Sequence, residues 1–187
     1  KHLAVQDSKG RVIGSLTSRD LLAAQGQSPL FMVREIASAV NREELKAQQA
    51  RLPGLVQNLI SSGARAENVT RLVTTVSDAI LHRLIEIALE EHGPPPVPFV
   101  FMIMGSEGRR EQTLKTDQDN AIVFQDVPED RLASVKDYFL SFGETVCTWL
   151  DEIGYDFCEG GVMAMNPSWC QPISAWREKF SEWIHTA

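Results

Sequence analysis

The chain has 187 residues, enough for one ordinary domain with or without a small appended unit. Its 43% hydrophobic and 23% charged content is that of a globular chain and excludes wholesale disorder. A net charge of −7 argues against a non-specific nucleic-acid binder, and no apolar run nears the roughly 18–20 residues of a membrane span, so neither partner is expected.

The first 28 residues read as a small β-β-α unit. Leu3 to Val5 is apolar, Asp7 to Gly10 carries turn residues, and residues 11–16 form a second strand. Thr17 to Asp20 then opens a short helix through Leu22, with Thr17 as its cap and Asp20 in its first turn. A hairpin with one helical turn cannot bury a core by itself, so this unit needs a packing partner.

Residues 31–92 carry helical patterning. Asn41 with Glu44 resembles a capping box, followed by an apolar face of Leu45, Leu52, Leu55, Val56 and Leu59. Pro53 is expected to kink or divide that helix, because it lacks an N–H and crowds the preceding turn. A break at Ser61, Ser62 and Gly63 leads into a long stripe of Val69, Leu72, Val73, Val76, Ile80, Leu84 and Ile87. It stops at Gly93 before three prolines.

The period then changes. Residues 97–104 are a continuous apolar run, expected to be a strand covered on both faces. A glycine-containing turn at 105–111 precedes a second strand at 117–124. Residues 128–153 are helical, 162–165 a short strand, and 173–184 a helix on which Trp176 and Trp183 cover the sheet. The fold class is α/β of the α+β kind: a helical connector packed on a small mixed sheet. Three units are expected, 1–28, 29–93 and 94–187.

The chemistry concentrates in Gly105-Ser106-Glu107-Gly108-Arg109-Arg110-Glu111 and Asp117-Gln118-Asp119-Asn120. On a strand, residues i and i+2 share a face, so Asp117 and Asp119 project side by side. Two adjacent carboxylates raise each other's pKa unless a cation sits between them. Mg²⁺ is held in this way by carboxylates, waters and substrate phosphates, with Mn²⁺ as the substitute. Gly105 lets backbone approach a phosphate, Ser106 can donate a hydroxyl, and Arg109 and Arg110 add forked cationic donors. The alternative for the acid pair is a solvated strand edge.

The four histidines lie far apart and are expected in surface or packing roles. The three cysteines, Cys147, Cys158 and Cys170, lack close metal-ligand spacing and read as reduced cytoplasmic thiols. Cys158 falls near the motif, but has no activating partner in the sequence and is not expected to be a catalytic thiol.

The stretch from Gly105 to Phe124 resembles the nucleotidyltransferase superfamily typified by DNA polymerase beta. Its longer pattern, Gly105-Ser106, Gly108-Arg109, Glu111-Gln112-Thr113-Leu114 and Thr116 to Asn120, is similar to a bacterial subgroup of signal-transduction nucleotidyltransferases related to the PII-protein uridylyltransferases. Residues 160–169, Gly160 to Trp169, also resemble that subgroup. Gly14, Leu16, Thr17 and Asp20 resemble the closing part of a cystathionine-beta-synthase-type (CBS) domain, a neighbour common in the subgroup.

The resemblance implies a Mg²⁺-dependent enzyme moving a nucleoside monophosphate from an NTP, ATP or UTP, to a protein or small-molecule acceptor in signal transduction. Asp117 and Asp119 would be catalytic and bind the metal. Gly105, Ser106 and Arg109 would bind the nucleotide, with Glu111 and Gln112 in the pocket. The superfamily's third carboxylate is expected beyond the helix ending near Ile184, with Asp126, Asp156 and Glu159 as nearby stand-ins, so the 94–187 unit is expected to be incomplete. A homodimer through the CBS-like or helical region is the expected assembly. The rival reading is a non-catalytic nucleotide-sensing module.

Overall fold

The long apolar stripes become the helices that organise the molecule. The computed structural model describes residues 2–17 and 28–186. Helix α1 (Pro29–Ala37), α2 (Arg42–Ser61) and α3 (Ala66–His92) follow one another as a helical layer. The Asn41 side chain accepts from the Glu44 N–H at 2.9 Å, and Glu44 accepts from the Val40 N–H. The α2 start is therefore capped reciprocally, one position off the usual box. Pro53 does not divide α2, which runs unbroken over 20 residues. Its ring lies on the exposed side, while Leu52, Leu55 and Val56 keep their packing on the other.

The stripe of α3 buries Val73, Val76, Ile80, Leu84 and Ile87, and Gly93 ends it with φ +81°. A short helix α4 (Gly105–Gly108) follows strand β3 (Phe99–Ile103), and α5 (Glu129–Ile153) follows β4 (Asn120–Phe124). Strand β5 (Cys170–Pro172) and α6 (Ile173–Thr186) complete these elements. The sheet order is β3-β4-β5, antiparallel between β3 and β4 and parallel between β4 and β5. This is the mixed sheet under helices that the sequence predicts.

Several expectations need correction. The apolar run of β3 is not covered on both faces: Phe99 and Phe101 are half-buried on one, while Val100 on the other is 61% exposed. The third strand is Cys170–Pro172 rather than 162–165. Met163 and Ala164 are buried, but as a turned loop whose backbone bonds locally, Met163 N–H to Gly161 and Asn166 N–H to Met163. Trp176 is buried and donates its indole N–H to the Ile122 carbonyl at 3.1 Å. Trp183 is 43% exposed and packs on Trp169 and Phe180 instead of the sheet.

One apolar cluster runs from Met32 through α3, β4 and α5 to Cys170. Phe124 stacks on Phe139 at 5.1 Å, and Phe99 meets both Phe139 and Phe142. The helical layer and the sheet thus share a core. Tyr155 crosses between them: its hydroxyl, 3.0 Å from Ser77 of α3, also donates to Gln49 of α2 at 3.1 Å. Arg42 on α2 pairs with Glu152 on α5 at 2.7 Å and lies over Trp149.

Near the other terminus, β1 (His2–Gln6) and β2 (Val12–Thr17) form the expected antiparallel hairpin, turned by Gly10 at φ +78°. Leu3, Val12, Ile13 and Leu16 are exposed on it. The helix expected at its end, and the role read for Asp20, lie outside the described residues.

Helix α5 approaches the 160–169 loop at Gly143, where a Cβ would sit 2.6 Å from the Ala164 carbonyl oxygen. In an open helix, Gly→Ala stabilises by up to about 1 kcal/mol. Here the sign should reverse. Gly143→Ala is expected to destabilise by about 1–3 kcal/mol, the usual cost of overpacking, measured by urea denaturation.

Candidate metal and nucleotide site

The register of β3 on β4 pairs Ile103 with Asn120, so the residues just after one strand lie beside those just before the other. The Met104 N–H donates to the Asp119 carbonyl at 2.8 Å. Gly105 therefore meets the Asp119 side chain directly. It adopts φ +57°, and a Cβ there would fall 1.9 Å from Asp119 Oδ2. Glycine is required on two counts, left-handed backbone and close approach of a carboxylate.

The regular strand starts at Asn120, three residues later than expected, yet the chain from 117 to 119 keeps strand-like alternation. Asp117 forms an isolated parallel bridge with Asp156, and the Gln118 N–H donates to the Asp156 carbonyl at 2.9 Å. Asp117 and Asp119 present carboxylate oxygens on one side, within 4.8 Å of each other and of Cys158 Sγ. Gln118 and Asn120 are buried on the opposite side.

Those two buried amides explain why polar residues flank the acids. Gln118 Nε2 donates to the carbonyls of Cys147 and Tyr155, both at 2.9 Å. Asn120 Oδ1 accepts from the Ala164 N–H at 2.8 Å and from the Cys147 thiol at 3.4 Å. The Asn120 N–H donates to the Val162 carbonyl. The segment carrying the acids is thereby tied to α5 and to the loop at 155–164. Each such bond contributes about 1 kcal/mol net, and leaving any of these buried groups unpaired would cost more.

Ser106 lies on α4 with its hydroxyl 3.5 Å from that of Thr116, one residue before Asp117. Arg109 is exposed and donates to Glu111 at 2.9 Å, so this pair lies in solvent. Arg110, at φ +60°, is the guanidinium whose charge reaches Asp78 of α3. Gln112 is fully buried, and neither atom of its amide has a partner among the described residues.

Asp126 sits at the start of α6, where the Ser174 hydroxyl and the Ser174 N–H, the latter at 3.0 Å, hold its carboxyl below the usual range. It follows the far end of β4, roughly 20 Å along the chain from Asp119 at the usual strand rise. Asp156 joins the site through its backbone, and Glu159 is exposed beyond Cys158. The carboxylate that does approach the pair is Glu107. Burial pushes it up to about 7, and the charges of Asp78 and Asp119 add to the rise. Asp78 is itself raised by partial burial, with Arg110 opposing.

The sequence assigns no role to Glu107, Asp78 or Tyr155, and it reads Arg110 as a phosphate donor rather than as the partner of Asp78. Glu107 was visible within the motif; Asp78 and Tyr155 were not, because only packing brings α3 and the end of α5 to this place. Cys158 has no partner within its own segment, but the fold gives it one: its thiol donates to Asp119 Oδ1 at 3.4 Å. The other two cysteines are buried, with burial pushing Cys147 up to about 11 and Cys170 up to about 12.

The gap among Glu107, Asp117, Asp119, Ser77 and Tyr155 is a cavity of about 10 Å³. That is near the size of one water, so nothing as large as a nucleotide enters it. The accessible side of the acid pair is the outer one, where Asp117 is exposed.

Residues 50–187 match the model of the family described as putative nucleotidyltransferase DUF294. The chain belongs to this family. Comparison with curated proteins finds no match, and neither does comparison with solved structures.

The raised Glu107 carboxyl has a pH consequence. Unfolded, it ionises near 4.5; folded, it keeps its proton to about 7. The folded state binds the extra proton between these values, so stability falls as pH rises from 4.5 through 7. With divalent ions chelated, Glu107→Gln should flatten this part of the profile, removing a loss on the order of 1–3 kcal/mol, as read from urea midpoints at pH 5 and 7.5.

Proposed function

We propose that the protein transfers a nucleoside monophosphate from an NTP to an acceptor, with release of pyrophosphate. The observation that carries the reading is the shared face of Asp117 and Asp119 beside Gly105, in a chain of the nucleotidyltransferase family. The donor chemistry fits a divalent cation. Two carboxylates meet at short range, and no basic side chain among the described residues forms an ion pair with either. A cation there, Mg²⁺ or Mn²⁺ by the sequence reading, supplies charge neutralisation for the phosphates in the transition state.

Asp117 and Asp119 hold the cation, and the backbone at Gly105 keeps Asp119 in place. Ser106 and the turn at 105–109, including Arg109, receive the triphosphate on the outer side. The acceptor oxygen attacks the α-phosphorus, the bond to the β-phosphate oxygen breaks, and pyrophosphate leaves. The acceptor's proton passes to a carboxylate base, the third acid of the family resemblance, since Glu107 faces the narrow inner gap. The family resemblance extends this reading to uridylyl or adenylyl transfer onto a protein in signalling, in the manner of PII uridylyltransferases. The exposed hairpin of β1 and β2 fits the closing part of a CBS-type module, 1–28, ahead of the connector 29–93 and the transferase core 94–187.

The test is transfer of label from α-³²P ATP and UTP to protein and small-molecule acceptors, with calorimetric nucleotide binding in parallel. Asp117→Asn and Asp119→Asn are each expected to lower transfer by at least roughly 100-fold, the scale of losing one charge-stabilising group, and to abolish metal-dependent nucleotide binding. Nucleotide binding that is indifferent to metal and to both substitutions would overturn the reading in favour of a sensor.

A further inference from the structure

We propose that Cys158 is a third protein donor for the cation at Asp117 and Asp119, so that this site takes thiophilic divalent ions, Zn²⁺ or Co²⁺, ahead of Mg²⁺. The inference rests on the metal reading above and concerns which ion that site selects.

Three donor atoms, one from each residue, lie within 4.8 Å of one another. Zn–O and Zn–S bonds of about 2.1 and 2.3 Å at a tetrahedral angle place oxygen and sulfur about 3.6 Å apart. Cys158 Sγ and Asp119 Oδ1 are already 3.4 Å apart. This edge of a tetrahedron is built before any ion arrives.

The placement does not depend on a single thiol contact. Residues 117–120 and 155–162 run side by side, joined by the Asp117–Asp156 bridge and by the bonds from the Gln118 and Asn120 N–H groups to residues 156 and 162. Gln118 Nε2 holds the Tyr155 carbonyl, and the Cys158 carbonyl accepts from the Gly161 N–H. Both flanks of Cys158 are thus fixed against the strand that carries the acids. Cys147 and Cys170 are buried in the core, whereas Cys158 is half-buried and Asp117 is exposed, which leaves a further coordination position open to solvent or substrate.

The chemistry then selects the ion. Mg²⁺ asks for near-octahedral oxygen ligands and gains little from sulfur. A thiolate with two carboxylates suits Zn²⁺ and Co²⁺. The thiol proton, now donated to Asp119, leaves to solvent as Sγ takes the ion, so binding releases one proton.

The experiment uses the whole chain, freed of metal by chelation and titrated with Co²⁺ and with Mg²⁺. The expected result is a near-ultraviolet thiolate-to-Co²⁺ charge-transfer band that saturates at one ion, with about one proton released, read by calorimetry in two buffers of different ionisation enthalpy. Cys158→Ser should lose the band and weaken Co²⁺ and Zn²⁺ binding by roughly 100-fold or more, since loss of even an outer-shell partner costs about 10–100-fold. Its Mg²⁺ affinity should hold. The wild-type spectrum stands whether or not the variant folds. Co²⁺ bound without a thiolate band would overturn the role of Cys158 and leave the carboxylate site intact. No divalent ion bound, with or without ATP and UTP, would overturn both.

Discussion

The structure depends on two buried amides. Gln118 and Asn120 alternate with Asp117 and Asp119, so the chain that turns two acids outward must turn two other side chains in. Apolar residues there would pack but could not hold the Cys147, Tyr155 and Ala164 backbone groups that Gln118 and Asn120 hold. Because an unpaired buried polar group costs more than a formed hydrogen bond gives, the arrangement has one well-satisfied geometry. The position of Cys158, the course of the 155–164 loop and the seat of α5 follow from it.

A second constraint is close approach. Gly105 admits the Asp119 carboxylate, and Gly143 admits the Ala164 carbonyl. These glycines bound the same assembly from two sides, one beneath the acids and one beneath the loop. The phosphate role read for Gly105 from sequence therefore shares its position with an intramolecular one. The residue that first needs the missing Cβ is Asp119.

The helical layer is part of the site's electrostatics as well as its scaffold. α3 brings Ser77 and Asp78 to the inner side of the acids, where Tyr155 bonds to Ser77 and Asp78 raises Glu107. Arg110 compensates Asp78 from the motif itself. Hydrogen bonds and packing hold the two acids and the half-buried thiol together, and a cation among them would offset the mutual repulsion of the carboxylates.

Local pattern carried most of the secondary structure. The stripes of α3 and α5, the Asn41 cap and the Gly93 stop are visible because each rests on residues within a turn or two of one another. The same holds for Asp117 and Asp119, whose common face follows from strand alternation. Local pattern misled where the outcome depended on neighbours in space. Met163 and Ala164 are apolar because they are buried as a loop beside α5, Pro53 is tolerated because its ring faces out, and Val100 is exposed because the face of β3 it points to is uncovered there. Sequence alone determined the helix periods, the acid pair and the glycine-serine turn, since these are set by spacing along one segment. Only tertiary structure decided that Glu107 and Cys158 meet that pair and that Asp78 acts on Glu107, because they arrive on three different segments whose separation in sequence says nothing of their distance in space.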